Sequence, residues 1–386
     1  MLNPKTSEIT ILQFGTGRFL QAHVDLFLDE AAKSGQQVGK VCVLQSSDQV
    51  EGIARANAFN LQSSYPVRIE GVRDGDIVQE VREVESVERA LILADPDQWQ
   101  QALQLVRGPV RTIISNTADR GYELSALDHA EMCPPASFPA KLLLLLRERF
   151  AVAGAPLTIL PCELINNNAD QLQKIVISLG RDWGVADDCL TWIAERCVWA
   201  NTLVDRIVSE ALEPIGAVAE PYALWAIQRV AGLVPPCTHS DIRVVDDLSP
   251  FEMLKLGILN FSHTFLVDLW LRKGRPGEVT LVSEIIKNQY FFPKLQAVMD
   301  SEVLPVLREM LPGQDPDVYL KSVLERFANP FLKHRLADIA QNHEEKVRRR
   351  IQMIREQSNR LFPEKPTPLL DACLLREAGT QADHVL

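Results

Sequence analysis

The sequence predicts an α/β protein with an N-terminal Rossmann-type doubly wound sheet followed by a mostly α-helical C-terminal domain. One observation is the order of strand, glycine turn, helix and strand over residues 8–45, which is the opening βαβ unit of such a sheet. A second is that short β-rich runs keep alternating with amphipathic helical stretches until about residue 200. A third is that helical periodicity dominates after that point. We therefore assign residues 1–200 to the Rossmann-type domain and residues 201–386 to the helical domain.

The first predicted strand, residues 8–14 (EITILQF), ends in the glycine turn Gly15-Thr16-Gly17. The apolar positions that follow recur at helical spacing until Gly35, so they predict a helix directly after the turn. Glycines in such a turn let the backbone approach a pyrophosphate, and the start of the helix supplies N–H donors. Leu20 stands where the full motif has a third small residue, so the fingerprint is incomplete. We predict dinucleotide binding by Gly15, Thr16, Gly17, Arg18 and Phe19.

The second predicted strand, residues 40–45 (KVCVLQ), leads into a polar loop that contains Asp48. An acidic residue near this place commonly binds the adenosine ribose and favours NAD over NADP. Asp48 is either that residue or an ordinary loop residue, so NAD is expected and NADP stays open. Residues 110–115 (VRTIIS) form another strand of the buried type, which ends in Asn116 and Thr117. An α/β sheet presents residues to its ligand at such strand ends, so we predict that these two contact the cofactor.

The remaining elements follow from periodicity. Residues 61–85 alternate as strands do and predict an antiparallel insertion or an edge of the sheet. Three helices, over 95–106, 138–150 and 166–179, and a strand over 156–162 complete the N-terminal pattern. The predicted C-terminal helices are 202–212, 222–231, 250–272, 280–286, 294–306, 318–327 and 330–360.

Composition and charge restrict the classes of partner. The chain has 386 residues, which is long enough for two domains with their own cores. Its apolar content of 46% and charged content of 24% are typical of a soluble globular protein. The formal net charge of −11 argues against nucleic acid and anionic membranes as partners, because both require a basic face. A small anionic substrate stays possible, since a few local cations are enough to bind it.

The cysteine pattern and the N-terminus indicate a reducing compartment. Seven cysteines are scattered without a CxxC spacing, which favours free thiols and gives no support for a structural zinc site. The N-terminus, MLNPKTSEITIL, lacks the pattern of a signal peptide. The longest apolar run, near residues 142–146, is too short to span a bilayer. We expect a cytoplasmic protein, and the sequence leaves its oligomeric state open.

The stretch Ser249–Leu271 is predicted to form one long helix that carries a dense cluster of polar side chains. Serine, proline and then glutamate at its start form a helix-start signature. At about 100° per residue, four polar residues fall within an arc of roughly 140°, namely Glu252, Lys255, Asn260 and His263. Leu256 and Leu259 share this arc. A lysine among apolar neighbours loses hydration, which lowers its pKa toward the range that is useful for proton transfer.

Each of these four residues also has a purely structural interpretation. Glu252 could close a capping box, and Lys255 could be a surface lysine whose stem lies on apolar neighbours. His263 could be a hydrogen-bonded histidine of the core, and Asn260 could bond a backbone carbonyl. The structural interpretation is adequate for each residue singly, whereas their clustering on one face favours a catalytic site.

Several motifs make the chain resemble the polyol-specific long-chain dehydrogenases, the mannitol dehydrogenase family. The stretch KLGILNFSHT at 255–264, with its lysine, asparagine and histidine, is the most diagnostic. The other matching stretches are ILQFGTGRFLQAH at 11–23, SNTADRGY at 115–122, SFPAKL at 137–142, ILPCELINNNA at 159–169, NTLVDRIV at 201–208, EPYALWAI at 220–227 and RFANPFLKHRLADIA at 326–340. Within the family the chain is most similar to members that interconvert tagaturonate and altronate.

The resemblance implies a Rossmann domain, a helical C-terminal domain, an active site between them and metal-independent hydride transfer between a nicotinamide cofactor and a secondary alcohol. It implies that Lys255 is the general acid/base, that Asn260 polarises the carbonyl oxygen and that His263 orients the substrate. Glu252 matches a position that passes protons to solvent, and Asp205 matches an aspartate that contacts the substrate. The expected substrate is a sugar acid of the tagaturonate/altronate type. A hexitol or hexitol phosphate is the alternative, and a non-catalytic NAD-binding sensor is a rival from another class.

Three features depart from the pattern of the polyol-acting members. Leu164, preceded by Glu163, stands where they carry an asparagine that helps to hold the oxyanion, and Asn166 or Asn168 could replace it. Phe261 stands where glycine is common. The chain is also about a hundred residues shorter than typical members. A substrate carboxylate would need a cation, for which the sequence offers Lys333, His334, Arg335 and Lys346.

Overall fold

The computed structural model describes residues 8–117 and 120–375. The chain forms two compact units. The first consists of Met1–Ile69, Glu80–Ala219 and Ala223–Leu248, and the second of Glu70–Gln79, Glu220–Tyr222 and Ser249–Leu386.

The strands belong to three sheets. In chain order they are β1 (Ile9–Phe14), β2 (Lys40–Gln45), β3 (Tyr65–Arg73), β4 (Asp76–Val84), β5 (Val87–Ile92), β6 (Thr112–Ser115), β7 (Thr158–Pro161), β8 (Val198–Trp199), β9 (Thr202–Asp205), β10 (Val208–Ala211), β11 (Ala217–Ala219), β12 (Leu224–Gln228) and β13 (Ile242–Val245). The central sheet has the order β5-β2-β1-β6-β7-β8, and its neighbouring strands are parallel. This sheet confirms the predicted Rossmann-type fold of the N-terminal part.

The helices of the first unit cover the central sheet. They are α1 (Arg18–Gln21), α2 (Val24–Lys33), α3 (Val50–Leu61), α4 (Pro96–Arg107), α5 (Phe138–Ala151), α6 (Asn168–Asp182) and α7 (Asp187–Glu195). The helix predicted after the glycine turn is present, but it is interrupted at Ala22 and His23. Apolar side chains on one face of α4 and α5, among them Trp99 and Leu142, are buried against the strands. The helix α4 begins at a cap in which Asp95 accepts hydrogen bonds from the backbone N–H groups of Asp97 and Gln98.

The two smaller sheets have the orders β10-β11-β3-β4 and β13-β12-β9. The predicted strands within residues 61–85 are confirmed as β3 and β4. A two-residue turn joins them, and Asp74 and Gly75 have positive φ values of 54° and 88°, as a tight hairpin turn requires. The helices predicted over 202–212 and 222–231 were wrong, because β9, β10 and β12 occupy these residues. Their short runs of leucine, valine and isoleucine are buried strands, which periodicity cannot distinguish from buried helix.

The second unit is helical, as predicted. Its α-helices are α8 (Ser249–Leu254), α9 (Phe261–Arg272), α10 (Val282–Ile285), α11 (Phe292–Val298), α12 (Leu304–Met310), α13 (Pro316–Phe327), α14 (Leu336–Ile339), α15 (His343–Val347), α16 (Met353–Leu361) and α17 (Pro368–Leu374). Three π-helical segments lie between some of them, at Lys255–Asn260, Met299–Val303 and Arg348–Gln352. The helix predicted over 250–272 therefore contains a π-helical segment. The helix predicted over 330–360 is broken, and Asn342 has a φ of +52° at the break.

A fully buried carboxyl group lies in the first turn of α2. One oxygen of Asp25 accepts hydrogen bonds from Tyr65 Oη at 2.9 Å and from Gln13 Nε2 at 3.3 Å. Burial raises the pKa of Asp25 to about 7, although these two hydrogen bonds oppose the rise. The second oxygen of Asp25 and Gln13 Oε1 have no hydrogen-bond partner. The protonated form of Asp25 is therefore favoured far above the ordinary pKa of an aspartic acid.

We expect Asp25→Asn to stabilise the protein at about pH 8 and to have little effect near about pH 4. The pKa of Asp25 in the folded protein lies above its ordinary value of 3.8, so this group favours folding at low pH and loses that contribution as the pH rises through about 7. At about 1.4 kcal/mol per pH unit, the gain in unfolding free energy reaches at most about 4 kcal/mol. Urea unfolding at both pH values measures it, with exposed Asp76→Asn as the control. An equal effect at both pH values would contradict this prediction.

Candidate functional site

The glycine turn of the first unit has the backbone geometry of a close approach. Gly15 has a φ of +117°, and a Cβ atom added there would lie 2.6 Å from the carbonyl oxygen of Asn116. A Cβ added at Gly17 would meet no atom within 4 Å, so the turn is open on that side. Thr16 is buried, and its hydroxyl donates to Gln45 Oε1 at 3.0 Å. These residues fit a dinucleotide phosphate, because the turn is held rigidly while its outer face stays accessible.

The other predicted cofactor residues of this region lie around the turn. Arg18 Nε donates to the carbonyl oxygen of Val208 at 3.2 Å, and the ring of Phe19 stacks on His23 with 4.8 Å between centroids. Asp48 is exposed in the loop after β2. At the end of β2 itself stands Gln45, whose amide donates to Ser47 at 2.9 Å. The role of Asp48 at the ribose stays a prediction.

Sequence reasoning missed one cation beside the glycine turn. Arg55, on α3, donates from Nε to Thr16 Oγ1 at 3.4 Å. A guanidinium at this place could bind a phosphate of the cofactor. Its signal in the sequence was weak, since one arginine on a polar helix face is usually solvated.

A buried carboxylate fixes the strand end that carries Asn116 and Thr117. One oxygen of Glu163 accepts hydrogen bonds from the backbone N–H of Thr117 at 3.0 Å and from its hydroxyl at 2.9 Å. The other oxygen accepts from Ser115 Oγ at 3.0 Å and from Tyr122 Oη at 3.2 Å. Burial raises the pKa of Glu163, while its hydrogen bonds to Thr117 and Ser115 oppose the rise. Glu163 therefore joins the ends of β6 and β7, which are adjacent in the central sheet.

The structure narrows the choice of an oxyanion donor after β7. Leu164 is 71% exposed, and Asn166 is also exposed. Asn168 is fully buried, and its amide donates to the carbonyl oxygens of Pro161, Glu163 and Thr202. The suggestion that Asn168 replaces the oxyanion asparagine was wrong, because its side chain is committed to these backbone groups.

In the second unit, Lys255 and Asn260 are the first and last residues of a π-helical segment. Such segments are rare and frequently mark functional sites, because one extra residue per turn redirects side chains. Both residues are half-buried, as is Glu252 in the preceding helix α8. The carbonyl oxygen of Asn260 accepts hydrogen bonds from Thr264 Oγ1 at 2.9 Å and from Arg350 Nη1 at 3.3 Å.

His263 is more than nine-tenths buried at the start of α9. Its ring stacks on Phe327 at 4.3 Å and meets the ring of His334 edge-on at 4.8 Å. Its Nε2 atom is buried and has no hydrogen-bond partner among the described residues. Burial, and then the nearby charges of His334, Arg326, Arg350 and Lys346, hold the pKa of His263 well below its usual range. The imidazole is therefore neutral, and its Nε2 atom has an unused capacity for a hydrogen bond.

The candidate cations of this unit differ in their environment. Lys333 and Arg335 are exposed. His334 is half-buried, and burial lowers its pKa, so it is neutral near neutral pH. Lys346 is half-buried and donates to the carbonyl oxygen of Ile339 at 2.7 Å, and burial together with the charge of Arg350 lowers its pKa. Arg350, which sequence reasoning did not single out, is half-buried in the π-helical segment Arg348–Gln352.

Asp205 lies in the first unit. It ends β9, where it pairs with Leu224 of β12, and only 4% of its surface is exposed. Its contact with the substrate stays a prediction.

Two family models match nearly the whole chain. The model described as the mannitol dehydrogenase Rossmann domain matches residues 9–234, and the one described as the mannitol dehydrogenase C-terminal domain matches residues 247–366. The chain belongs to the mannitol dehydrogenase family. This membership confirms the predicted family, and with it the predicted class of dehydrogenases.

Similar proteins of this family include altronate oxidoreductases. The protein from Klebsiella pneumoniae subsp. pneumoniae is 32% identical over 369 residues, which cover 88% of this chain and 73% of that protein. The one from Halalkalibacterium halodurans is 29% identical over 377 residues, which cover 91% of this chain and 71% of that protein. The matched regions therefore span about seven-tenths of the length of each of these relatives.

Two solved structures show the same fold at low sequence identity. A D-sorbitol dehydrogenase in substrate-free form has a TM-score of 0.82 at 18% identity, over 95% of this chain and 79% of that one. The mannitol 2-dehydrogenase of Pseudomonas fluorescens, in a ternary complex with NAD and D-mannitol, has a TM-score of 0.75 at 20% identity, over 96% of this chain and 78% of that one.

The described residues contain neither a helix that could cross a bilayer nor a cluster of metal ligands. Over residues 8–117 and 120–375, no helix has the length and apolar character needed to cross a bilayer. Within the same ranges, no group of three or more histidine, cysteine, aspartate or glutamate side chains could hold a metal ion. All seven cysteines are free thiols, as predicted, and all except Cys133 are buried.

Proposed function

We propose that this chain transfers hydride between NAD and a secondary alcohol of a sugar acid of the altronate/tagaturonate type, with Lys255 as general acid/base. The observation that carries the proposal is the arrangement in the second unit. Lys255 and Asn260 delimit a π-helical segment, and the buried, partnerless Nε2 of His263 follows three residues later. The names of the altronate oxidoreductases among its relatives support the choice of substrate.

The first unit supplies the residues for the cofactor. The turn at Gly15 and Gly17 leaves room for a pyrophosphate, and the segment at Asn116 and Thr117 borders the same turn through the contact of Asn116 with Gly15. Arg55 and Asp48 are the residues through which the chain would distinguish NADP from NAD. A bound nicotinamide dinucleotide accepts the hydride in oxidation and supplies it in reduction.

The side chains of the second unit handle the proton and the developing charge. In oxidation, neutral Lys255 takes the proton from the substrate hydroxyl, and in reduction its ammonium group returns that proton to the same oxygen. The amide of Asn260 donates a hydrogen bond to this oxygen as negative charge develops on it. His263 is neutral, so its free ring nitrogen can orient a second hydroxyl of the substrate without an unfavourable charge. Glu252, one helical turn before Lys255, passes protons between the lysine and solvent.

A panel of substrates tests this function directly. Purified protein is incubated with NADH and one substrate at a time. The four substrates are tagaturonate, fructuronate, fructose and fructose 6-phosphate, and the loss of NADH absorbance is followed. We expect turnover of tagaturonate above all others, and a repetition with NADPH measures the cofactor preference. Preferred turnover of fructose or its phosphate would assign the polyol reaction instead. Tight NADH binding without turnover of any of the four would favour a non-catalytic sensor.

We expect Glu163→Ala to weaken NADH binding at least about 10-fold and to lower the unfolding free energy by about 2–3 kcal/mol. The change leaves the buried donors of Ser115, Thr117 and Tyr122 without their acceptor, and it frees the segment that carries Asn116. Glu163→Gln keeps the shape of the side chain and one carbonyl acceptor, so it should retain most of the affinity. Fluorescence titration with NADH and urea unfolding measure both variants. Unchanged NADH affinity in Glu163→Ala would refute the anchoring role.

A further inference from the structure

Arg350 differs from the other shielded arginines of the second unit in having no carboxylate partner. Arg272 pairs with Asp268 at 2.6 Å, Arg326 with Glu220 at 2.8 Å and Arg355 with Asp371 at 2.8 Å. Its neighbour in sequence, the exposed Arg349, lies 3.6 Å from Glu345. Among the described residues, no carboxylate oxygen lies within 4 Å of the guanidinium of Arg350. A charge that is removed from water normally has a partner of opposite charge. The guanidinium of Arg350 therefore lacks a counter-charge that a bound anion could supply.

The guanidinium of Arg350 is nevertheless held in a fixed position. Its Nη1 atom donates to Thr264 Oγ1 at 3.0 Å and to the carbonyl oxygen of Asn260 at 3.3 Å. The Nη2 and Nε atoms take part in neither bond, so one edge of the planar fork can bind a carboxylate. Because one of its anchors is the backbone of Asn260, the fork is tied directly to the proposed catalytic segment.

The surroundings of Arg350 add positive charge and neutral donors, but no matching negative charge at contact distance. Among the residues that the structure describes, Lys346 donates only to a backbone carbonyl, and its pKa is lowered by burial and by the charge of Arg350. Burial likewise lowers the pKa of Arg350 itself. His263 and His334 each have a buried ring nitrogen without a partner. Glu345 and Asp338 act on Lys346 and His334 through their charge, but among the described residues neither forms an ion pair with Arg350.

We propose that Arg350 binds the carboxylate of the substrate and thereby restricts the enzyme to sugar acids in preference to neutral sugars. The inference rests on the proposed function and names the residue that determines the substrate class. Arg350 suits the task better than the exposed Lys333 or Arg335, because its guanidinium is half-buried and already held in one orientation. A neutral sugar, which offers only hydroxyl groups at this end, would leave the cationic cluster without a counter-charge.

Arg350→Gln is the sharpest test, because glutamine removes the charge of the guanidinium while it keeps a polar side chain on the same helix. We expect kcat/KM for tagaturonate to fall about 100-fold or more, mainly through a higher KM, as is usual when one partner of a desolvated charge pair is removed. For the neutral ketohexose of the same configuration, with CH2OH in place of the carboxylate, kcat/KM should change by less than about 3-fold. Arg350→Lys should recover part of the loss, and exposed Arg349→Gln should leave both values unchanged.

The outcomes separate this inference from the proposed function. If the unaltered protein turns over neither compound, the proposed function fails. If it turns over tagaturonate and Arg350→Gln does so equally well, Arg350 does not bind the carboxylate. If the variant loses kcat at unchanged KM, or loses both substrates equally, Arg350 only holds the Asn260 segment and the inference is overturned. Urea unfolding of Arg350→Gln and of Arg350→Lys identifies any loss of activity that comes from misfolding.

Discussion

In purified Lys255→Ala, turnover should fall by about 10³-fold or more while NADH binds almost as it does to the unaltered protein. A positioned general acid/base typically contributes about 10²–10⁴ in rate, and the alkoxide that forms in reduction would have no proton donor without the lysine. The glycine turn at Gly15 belongs to the first unit and Lys255 to the second, so the change leaves the dinucleotide-binding residues intact. Steady-state rates with tagaturonate and fluorescence titration with NADH give the two readouts.

Small primary amines added to Lys255→Ala distinguish proton transfer from a structural role. Ethylamine and amines of different basicity should restore part of the rate, and the restored rate should depend on the pKa of the amine. Lys287→Ala, which removes an exposed lysine of the same unit, is the matched control and should behave as the unaltered protein does. Full turnover in Lys255→Ala without added amine would remove the lysine from the mechanism.

The parts of the fold that the sequence predicted well depend on local signals. The strand at residues 9–14, the glycine turn and the strand at 40–45 follow from short-range pattern, because turn residues and apolar alternation act over a few positions. The cap at Asp95 and Pro96 is another local signal, and the helix begins there as expected.

The parts that were missed depend on contacts that are distant in sequence. Residues 202–205 and 224–228 became strands because they pair with each other, a contact that local periodicity does not contain. The π-helical segment Lys255–Asn260 also reflects tertiary packing. A Cβ atom at Gly257, within this segment, would lie 3.1 Å from a methyl group of Leu307 and 3.3 Å from one of Ile354. A helical wheel of about 100° per residue assumes a regular α-helix, so it does not give the true directions of the polar side chains in this segment.

For the candidate site, too, local signals in the sequence were informative and contacts between distant residues were not. The family motifs and the helical wheel identified Lys255, Asn260 and His263, because these residue types are unusual among apolar neighbours. Arg350 was missed because it lies in a run of arginines that is indistinguishable, in sequence, from a solvated helix face. Its isolation from carboxylates becomes visible only when the ion pairs of the neighbouring arginines are known. Glu163 was identified as a departure from the polyol pattern, but its four hydrogen bonds to the end of β6 and to Tyr122 were not predictable.

A buried ion pair beside His263 provides the largest expected effect on stability. Arg326 donates from Nε and Nη2 to both oxygens of Glu220, at distances between 2.8 and 3.1 Å, and both side chains are almost completely buried. The guanidinium also lies over the ring of Tyr222, 4.3 Å from its centroid. Phe327, the next residue along α13, is the ring on which His263 stacks. The pair therefore holds the end of α13 in the position that His263 requires.

We expect Arg326→Met to lower the unfolding free energy by about 3–5 kcal/mol, because it removes the guanidinium that pairs with the buried carboxylate of Glu220. Glu220→Gln should cost less, since the amide oxygen still accepts a hydrogen bond from the arginine. Arg326→Met combined with Glu220→Leu should recover much of the stability, as replacing both partners of a buried pair by apolar groups is often nearly neutral. Urea unfolding of the three variants measures this coupling. A cost below about 1 kcal/mol for Arg326→Met, or a double variant no more stable than Arg326→Met, would show that packing rather than charge pairing fixes α13 beside His263.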